Sequence, residues 1–525
     1  MLDWFKGEKV DHPFADAKHA KEVIGAFSAS DPWQAIEDVS HWVESVNSTA
    51  GFKLDKRYEL LDALDVAARR SHRKLLDNYT ALKSADRVHE RRIWATAPKF
   101  WKLLADGYLL CLDQAQDHKN VSGAMKPRLP VIAARGTRAL RNQIKWVLMR
   151  YGMVRPEIWG EIARCTSFAE VGGGADAVVE IYPGDSGSVR HEFLRIMMFW
   201  AASPGGLAQV EQDIAERVIV LVTPKFGFSV KPSESSEYCF DLDGQRPPLR
   251  WMPSVPPMVA PRYFDAIEAH KAVQALLATL TSTGVVPSDL VLSAGANTAA
   301  ATRVLNYLLL NWAKEMPPRA AERRKTAISL RIVHGYENVL GAVAPELAGS
   351  GDELDFASAT EYETWVAEDV SARGYGMVAP AGKGGWLKVG VLVGVRTESE
   401  SSWSIGIVRR VKGDAHQQFR IGVQLIAKAP MPVNLSLADG GAKSENALLL
   451  APTPSPNGSL HVVARRDIFF GNVQWEGVYG NPPVTVTLDA AGAIESGDDF
   501  DWLRFKASER EQVLLMSLKL DISGR

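Results

Sequence analysis

A chain of 525 residues, 46% apolar and 23% charged, has room for roughly two to four domains with substantial cores. Its 60 Lys and Arg against 62 Asp and Glu leave a net charge of −2, which argues against a protein whose main task is gripping DNA, RNA or an anionic membrane. Three scattered cysteines, Cys111, Cys165 and Cys239, form no Cys-x-x-Cys pair, so a disulfide framework and a structural zinc site are not expected.

The N-terminus carries acid early and lacks the long apolar core of a signal peptide. No uncharged apolar run approaches the roughly 18 residues that a spanning helix needs. The expectation is a cytoplasmic protein without membrane insertion.

Residues 1–315 read as helical. Between Asp55 and Lys83, Leu61, Leu64, Ala68, Leu75 and Tyr79 fall on one face, with charges between them. A Trp- and Leu-rich segment follows from Arg91 to Asp117. A third helix, Leu129 to Met153, carries Arg135, Arg138 and Arg141, read as a solvated face or as a basic face for a partner. Arg190 to Ala202 is an apolar helix, and Leu207, Val210, Ile214, Val218 and Leu221 mark the next one. A Pro-rich loop spans Lys231 to Pro261. Helices return at Tyr263 to Thr283 and Asn297 to Lys314.

The pattern changes at Met316-Pro317-Pro318. From there to residue 430, β-branched alternation predicts strands at Ile328–Val333, Trp365–Val370 and Trp386–Arg396, then around Trp403–Ile407 and Ile421–Leu425. These build a small antiparallel sheet or barrel. A polar loop separates Pro345 from Thr360. Residues 431–525 form a second β-rich domain, with strands at Leu448–Ala451, Leu460–Ala464, Val484–Leu488 and Phe500–Lys506. The two β modules in tandem are candidates for structural relatives.

Several motifs fail on context. Gly184-Asp-Ser186-Gly187 leads straight into a helix, so Ser188 or Asp185 reads as an N-cap. His191-Glu192 opens a zinc-protease pattern, but Arg195 stands where the second His belongs. Gly172-Gly-Gly-Ala175 lacks the Lys-Ser/Thr of a phosphate loop. No catalytic set and no metal set emerges, and no enzyme is expected.

One constellation carries chemistry. Arg319-Ala-Ala-Glu-Arg323 precedes the first strand of the β region, and Asp369-Val-Ser371-Ala-Arg373-Gly374 ends the next. Guanine presents adjacent acceptors, O6 and N7, that a guanidinium meets bidentately. Arginine also pairs with phosphate and stacks on purines. Asp369 can accept from the guanine N1–H and N2–H₂ edge, Ser371 can donate to a phosphate or fix the turn, and Gly374 permits a positive φ. Arg324 and Lys325 extend the basic run. Arg409 and Arg410 are strand neighbours, so alternation sends one to each face.

This arrangement resembles the PilZ family of cyclic di-GMP receptors over roughly Pro317 to Pro430, with Trp403-Ser-Ile-Gly-Ile-Val-Arg-Arg and Ile421-Gly-Val-Gln-Leu-Ile as the closing strands. Arg323 and Asp369 lie 46 positions apart, more than the family usually shows, and the polar loop takes up the excess. The resemblance implies a PilZ-like antiparallel β-barrel, and the patterns on either side make this a multidomain chain with an all-α N-terminal half and a second small β-rich domain. It implies cyclic di-GMP as the ligand, held by Arg319, Arg323, Asp369, Ser371 and Gly374. The helical half would then act on a protein partner. The competing reading is a scaffold whose barrel binds no nucleotide, with Asp369 and Ser371 serving only their own turn.

Overall fold

The computed structural model describes residues 10–507 except 28–30, 83–85, 117–120, 293, 316–320, 346–360, 381–384, 417, 439–443, 451–458, 469–473 and 480–483. Contacts group the chain into two units, Met1–Pro317 and Pro318–Arg525.

The first unit opens with α1 (Ala17–Ala26), α2 (Pro32–Ser48), α3 (Leu54–Ala81) and α4 (Arg87–Gln114). It continues through α5 (Leu129–Met149), α6 (Pro156–Val171), a hairpin of β1 (Val179–Tyr182) and β2 (Asp185–Gly187), α7 (Val189–Ala201) and α8 (Gln209–Val222). Local signals set the boundaries. Asp31 accepts from the amides of Trp33 and Gln34, and Pro32 sits in the first turn of α2. Ser188 caps α7 by accepting from the His191 amide at 3.2 Å. Gly172 closes α6.

The loop expected from Lys231 to Pro261 holds structure. Short strands β3 (Gly227–Ser229), β4 (Tyr238–Asp241), β5 (Leu249–Arg250) and β6 (Pro261–Asp265) form a sheet in the order β3-β6-β4-β5. The helix expected to start at Tyr263 therefore begins later, as α9 (Ile267–Thr283), and α10 (Thr298–Asn311) follows. Strands of two to five residues are too short to show a period, so only their pairing reveals them.

The arginines of α5 overturn both readings offered for them. Arg135, Arg138 and Arg141 are buried, as is Lys145 one turn on. Their partners come from α3, α7, α8 and the hairpin. Arg135 pairs with Asp62, and Arg138 with Asp185 and, at 2.8 Å, with Glu192. Arg141 meets Glu192 at 2.9 Å and Glu216 at 3.3 Å, and Lys145 meets Asp213 and Glu216. Buried charges persist only when paired, and carboxylates 47 to 75 residues away are invisible to a local pattern.

The second unit is two closed six-stranded barrels joined by a helix. The first has β7 (Arg324–His334), β8 (Glu363–Ser371), β9 (Gly374–Ala379), β10 (Leu392–Thr397), β11 (Ser404–Gly413) and β12 (Phe419–Lys428). The second has β13 (Met431–Leu437), β14 (Ser444–Leu449), β15 (Ser459–Arg465), β16 (Gln474–Tyr479), β17 (Val484–Ser496) and β18 (Phe500–Ala507). The neighbour orders are β7-β8-β9-β12-β11-β10 and β13-β14-β15-β18-β17-β16, each closing on itself. Numbered within its own barrel, the order is identical, so the second barrel repeats the topology of the first.

Between β7 and β8 lies α11 (Tyr336–Val343), a helix the sequence patterns did not reveal. Tyr336, Val339 and Leu340 pack in one cluster with Leu392, Ile405 and Ile407 of the first barrel and Leu448, Val463 and Phe500 of the second. The Tyr336 amide donates to Asp499 at 2.7 Å. The strand expected from Trp386 starts only at Leu392. Trp386 instead stacks on His334 and Trp365, at centroid distances of 4.0 and 5.5 Å.

Candidate functional site

The start of β7 runs beside the end of β8, with Arg324 opposite Val370 and Lys325 opposite Asp369. That register brings Arg323 to Asp369 across 46 residues. Its guanidinium donates to both carboxylate oxygens, at 3.0 and 3.2 Å. The pair lies open to solvent, with side chains 47% and 30% exposed. Arg319 falls outside the described residues.

Asp369 leads into a two-residue hairpin in which Ser371 faces Gly374 across the ladder. The Ser371 hydroxyl accepts from the Arg373 amide and donates to the Gly374 carbonyl, both at 3.3 Å. These two bonds fix the turn. The Leu425 amide donates to the Arg373 carbonyl at 2.9 Å and ties the hairpin tip to β12.

Gly374 is needed for a reason the motif does not state. Its φ of 158° is positive, as expected, and lack of space adds a second constraint. A Cβ there would stand 2.0 Å from the Val423 carbonyl oxygen, which only a residue without a side chain allows. Gly376 has an equivalent role outside the motif. It pairs with Asp369 across the β8–β9 ladder, and its Cβ would meet the Asp369 carboxylate at 2.6–2.8 Å.

Arg323, Asp369, Ser371 and Gly374 all border one open cavity of about 570 Å³, within the usual range for small-molecule sites. The surface is strongly cationic: Arg323, Arg373, Arg409, Arg410, Lys412 and Arg420 line it, against the carboxylates of Glu368 and Asp369 alone. Arg420, Gly422 and Gln424 alternate along β12, and Gly422 leaves the floor between the two side chains flat.

Arg409 and Arg410 both reach the cavity, contrary to strict alternation. On β11, Val408 pairs with Val423 and Arg410 with Gly422, so Arg409 is the extra residue of a β-bulge. Such a bulge breaks the alternating side-chain directions and re-aims a residue. A second bulge places Glu368 between Ala367 and Asp369 on β8. Arg409 and Arg410 were visible as neighbouring cations, and Arg373 lies inside the Asp-x-Ser-x-x-Gly stretch. Lys412, Arg420 and Gly376 carried no signal beyond their place on strands.

Among the described residues no group of His, Cys, Asp and Glu has the arrangement of a metal site. Among the same described residues no helix is long and apolar enough to cross a membrane.

Two family models match the chain. Residues 18–233 match the N-terminal domain of the cyclic-di-GMP receptor FimW. Residues 350–432 match its middle PilZ domain, a stretch that includes Asp369, Ser371 and Gly374 and starts beyond Arg323. A search of curated proteins finds no match. The first barrel is thus a PilZ domain, and the chain belongs to the FimW family of cyclic-di-GMP receptors.

Proposed function

We propose that this chain is a cytoplasmic cyclic di-GMP receptor. The first barrel, residues 316–430, binds the nucleotide through Arg319, Arg323, Asp369, Ser371 and Gly374. The helical residues 1–315 pass the bound state to a protein partner. The observation that carries the reading is the meeting of Arg323 and Asp369 at the mouth of the cationic cavity. A turn that served only itself would not need a guanidinium brought in from the residue before β7, 46 positions away.

The chemistry fits the ligand part by part. An arginine fork meets guanine O6 and N7, or phosphate, with two parallel hydrogen bonds. Asp369 accepts from the N1–H and N2–H₂ of the same base. Among the described lining residues six cations face two carboxylates, and that excess suits a ligand with two phosphodiesters, taken up as a stacked pair of nucleotides. Adenine places a donor where the arginines require an acceptor, so the adenine analogue is disfavoured.

Transmission follows from position in the chain. The Arg319–Arg323 arm comes directly after the helical residues. A ligand that grips this arm stabilises one arrangement of the linker over others, which is the condition for a population shift. The role requires no catalytic group.

Isothermal calorimetry with cyclic di-GMP tests the reading on wild type and Arg323→Ala. The expected result is binding by wild type and a loss of about 1–3 kcal/mol, roughly five- to 150-fold, in the variant. No heat from wild type at high micromolar nucleotide would support the nucleotide-free scaffold instead.

A further inference from the structure

Arg409 lines the cavity from the first barrel, yet its guanidinium is held by the second. Nε donates to Gln424 Oε1 at 2.8 Å. The two terminal nitrogens donate to Glu495 Oε1 at 2.5 Å and Oε2 at 2.7 Å. Glu495 lies on β17, opposite Trp502 on β18. The pair is partly sheltered, with side chains 34% and 20% exposed.

A guanidinium has two edges that present a pair of parallel N–H groups. Glu495 fills the end-on edge, and Gln424 takes the Nε position of the side-on edge. No two-donor edge therefore remains for a phosphate or for guanine O6 and N7. The other cavity cations differ. Arg323 and Arg420 pair with carboxylates of the cavity wall itself, Asp369 and Glu368. Arg373, Arg410 and Lys412 have no carboxylate partner among the described residues. Arg409 alone is paired to a carboxylate from the other barrel.

The second barrel has the same strand order as the first but no acidic turn of its own. The connection between its second and third strands reads Leu450-Ala-Pro-Thr-Pro-Ser-Pro-Asn-Gly458, with no Asp-x-Ser-x-x-Gly. It touches the nucleotide-site machinery of the first barrel through Glu495.

We propose that Glu495 and cyclic di-GMP compete for Arg409, so that nucleotide binding releases the second barrel's hold on the first. This rests on the receptor reading above. Paired with Arg409, Glu495 neutralises one of the site's cations. When the nucleotide takes the Arg409 fork, the Glu495 carboxylate turns to solvent and the β17 end loses its contact across the barrels. Linkage is reciprocal: whatever weakens the Arg409–Glu495 pair strengthens nucleotide binding, and the reverse.

The test uses the full chain, with cyclic di-GMP as the probe. Glu495→Gln keeps shape and removes charge. It should tighten binding by about two- to fivefold, the range for a partly exposed ion pair. Arg409→Ala should weaken binding, and Glu495→Gln should have no effect in that background. Amide exchange on wild type, which needs no variant, should speed up at Ile494–Ser496 when nucleotide is added. If Glu495→Gln weakens binding as Arg409→Ala does, Glu495 positions Arg409 for the ligand and the competition is overturned. Unchanged affinity, or unchanged exchange at β17, overturns it equally. Absence of any binding by wild type would instead fail the receptor reading itself.

Discussion

Replacing Gly376 with alanine separates the ligand role proposed for Asp369 from any role in folding. The added methyl would lie 2.6 Å from one Asp369 carboxylate oxygen, 2.7 Å from the other and 2.8 Å from Cγ. Ordinary contact begins near 3.4 Å, so the carboxylate must retreat by most of an ångström. It can do so, because it is the free end of a partly exposed side chain. The stability cost is that of disturbing one exposed ion pair, about 0.2–1 kcal/mol. The binding cost is larger. A displaced carboxylate no longer meets the guanine N1–H and N2–H₂ edge, and Arg323 loses the partner that orients it. About 1–3 kcal/mol of recognition should vanish, a roughly five- to 150-fold rise in Kd. Calorimetry gives the Kd and a thermal melt gives the stability. Affinity within about twofold of wild type would refute the placement of Asp369 at the ligand. A melting temperature that collapses along with the affinity would show that the turn is needed for the barrel, not for the nucleotide.

Two further predictions concern the helical unit. Glu192, fully buried, faces Arg138, Arg141 and Arg195. Burial alone would raise its carboxyl, but the three guanidiniums hold it well below the usual range. Glu192→Gln removes the carboxylate that the three guanidiniums share and takes from Arg195 its one carboxylate partner among the described residues, which should cost about 3–5 kcal/mol in urea unfolding of the helical unit; a loss under about 1 kcal/mol would contradict the ion-pair account. The second prediction is acid lability. Trp101 and Trp146 both donate to His72 Nε2, at 2.6 and 3.0 Å, and burial together with Lys145 pushes the imidazole from 6.5 down to about 3. Below pH 6.5 the unfolded chain takes a proton that the folded chain refuses. His72 therefore contributes fully above 6.5, and stability falls with pH from there toward 3, by up to about 1.4 kcal/mol per unit. Asp213, which burial would raise but Lys145 and Arg217 hold at about 2, adds a loss only at lower pH, from 3.8 downward. Urea midpoints between pH 7.5 and 5 should drop for wild type and stay flatter for His72→Gln, which accepts from the indoles without titrating; parallel curves would remove His72 as the cause.

Long periodic helices such as α3 and α8 and the alternating strands β11 and β12 were legible because each carries its own burial pattern over two or more turns or pleats. The Asp369–Gly374 turn was legible because its residue types belong to a tight hairpin turn. Gly374 has the positive φ expected of it, but a second constraint was not legible: the Val423 carbonyl, which only barrel closure brings near, leaves no room for a side chain. The short strands β3 to β6, helix α11 and strands β9, β13 and β16 escaped because too few residues repeat to mark a face.

The amino-acid order alone determined that a helical half gives way to β structure near Met316 and that an arginine arm and an acidic turn come in the order suited to a guanine nucleotide. Tertiary structure decided which charges serve which purpose. Arg138 and Arg141 look like surface cations in the sequence, yet carboxylates from distant helices bury them as structure. Arg409 looks like one of two alternating strand residues, yet a bulge turns it to the cavity and a glutamate from the second barrel holds it there. Electrostatic partners act through space, and their separation in space is set by the fold rather than by separation along the chain.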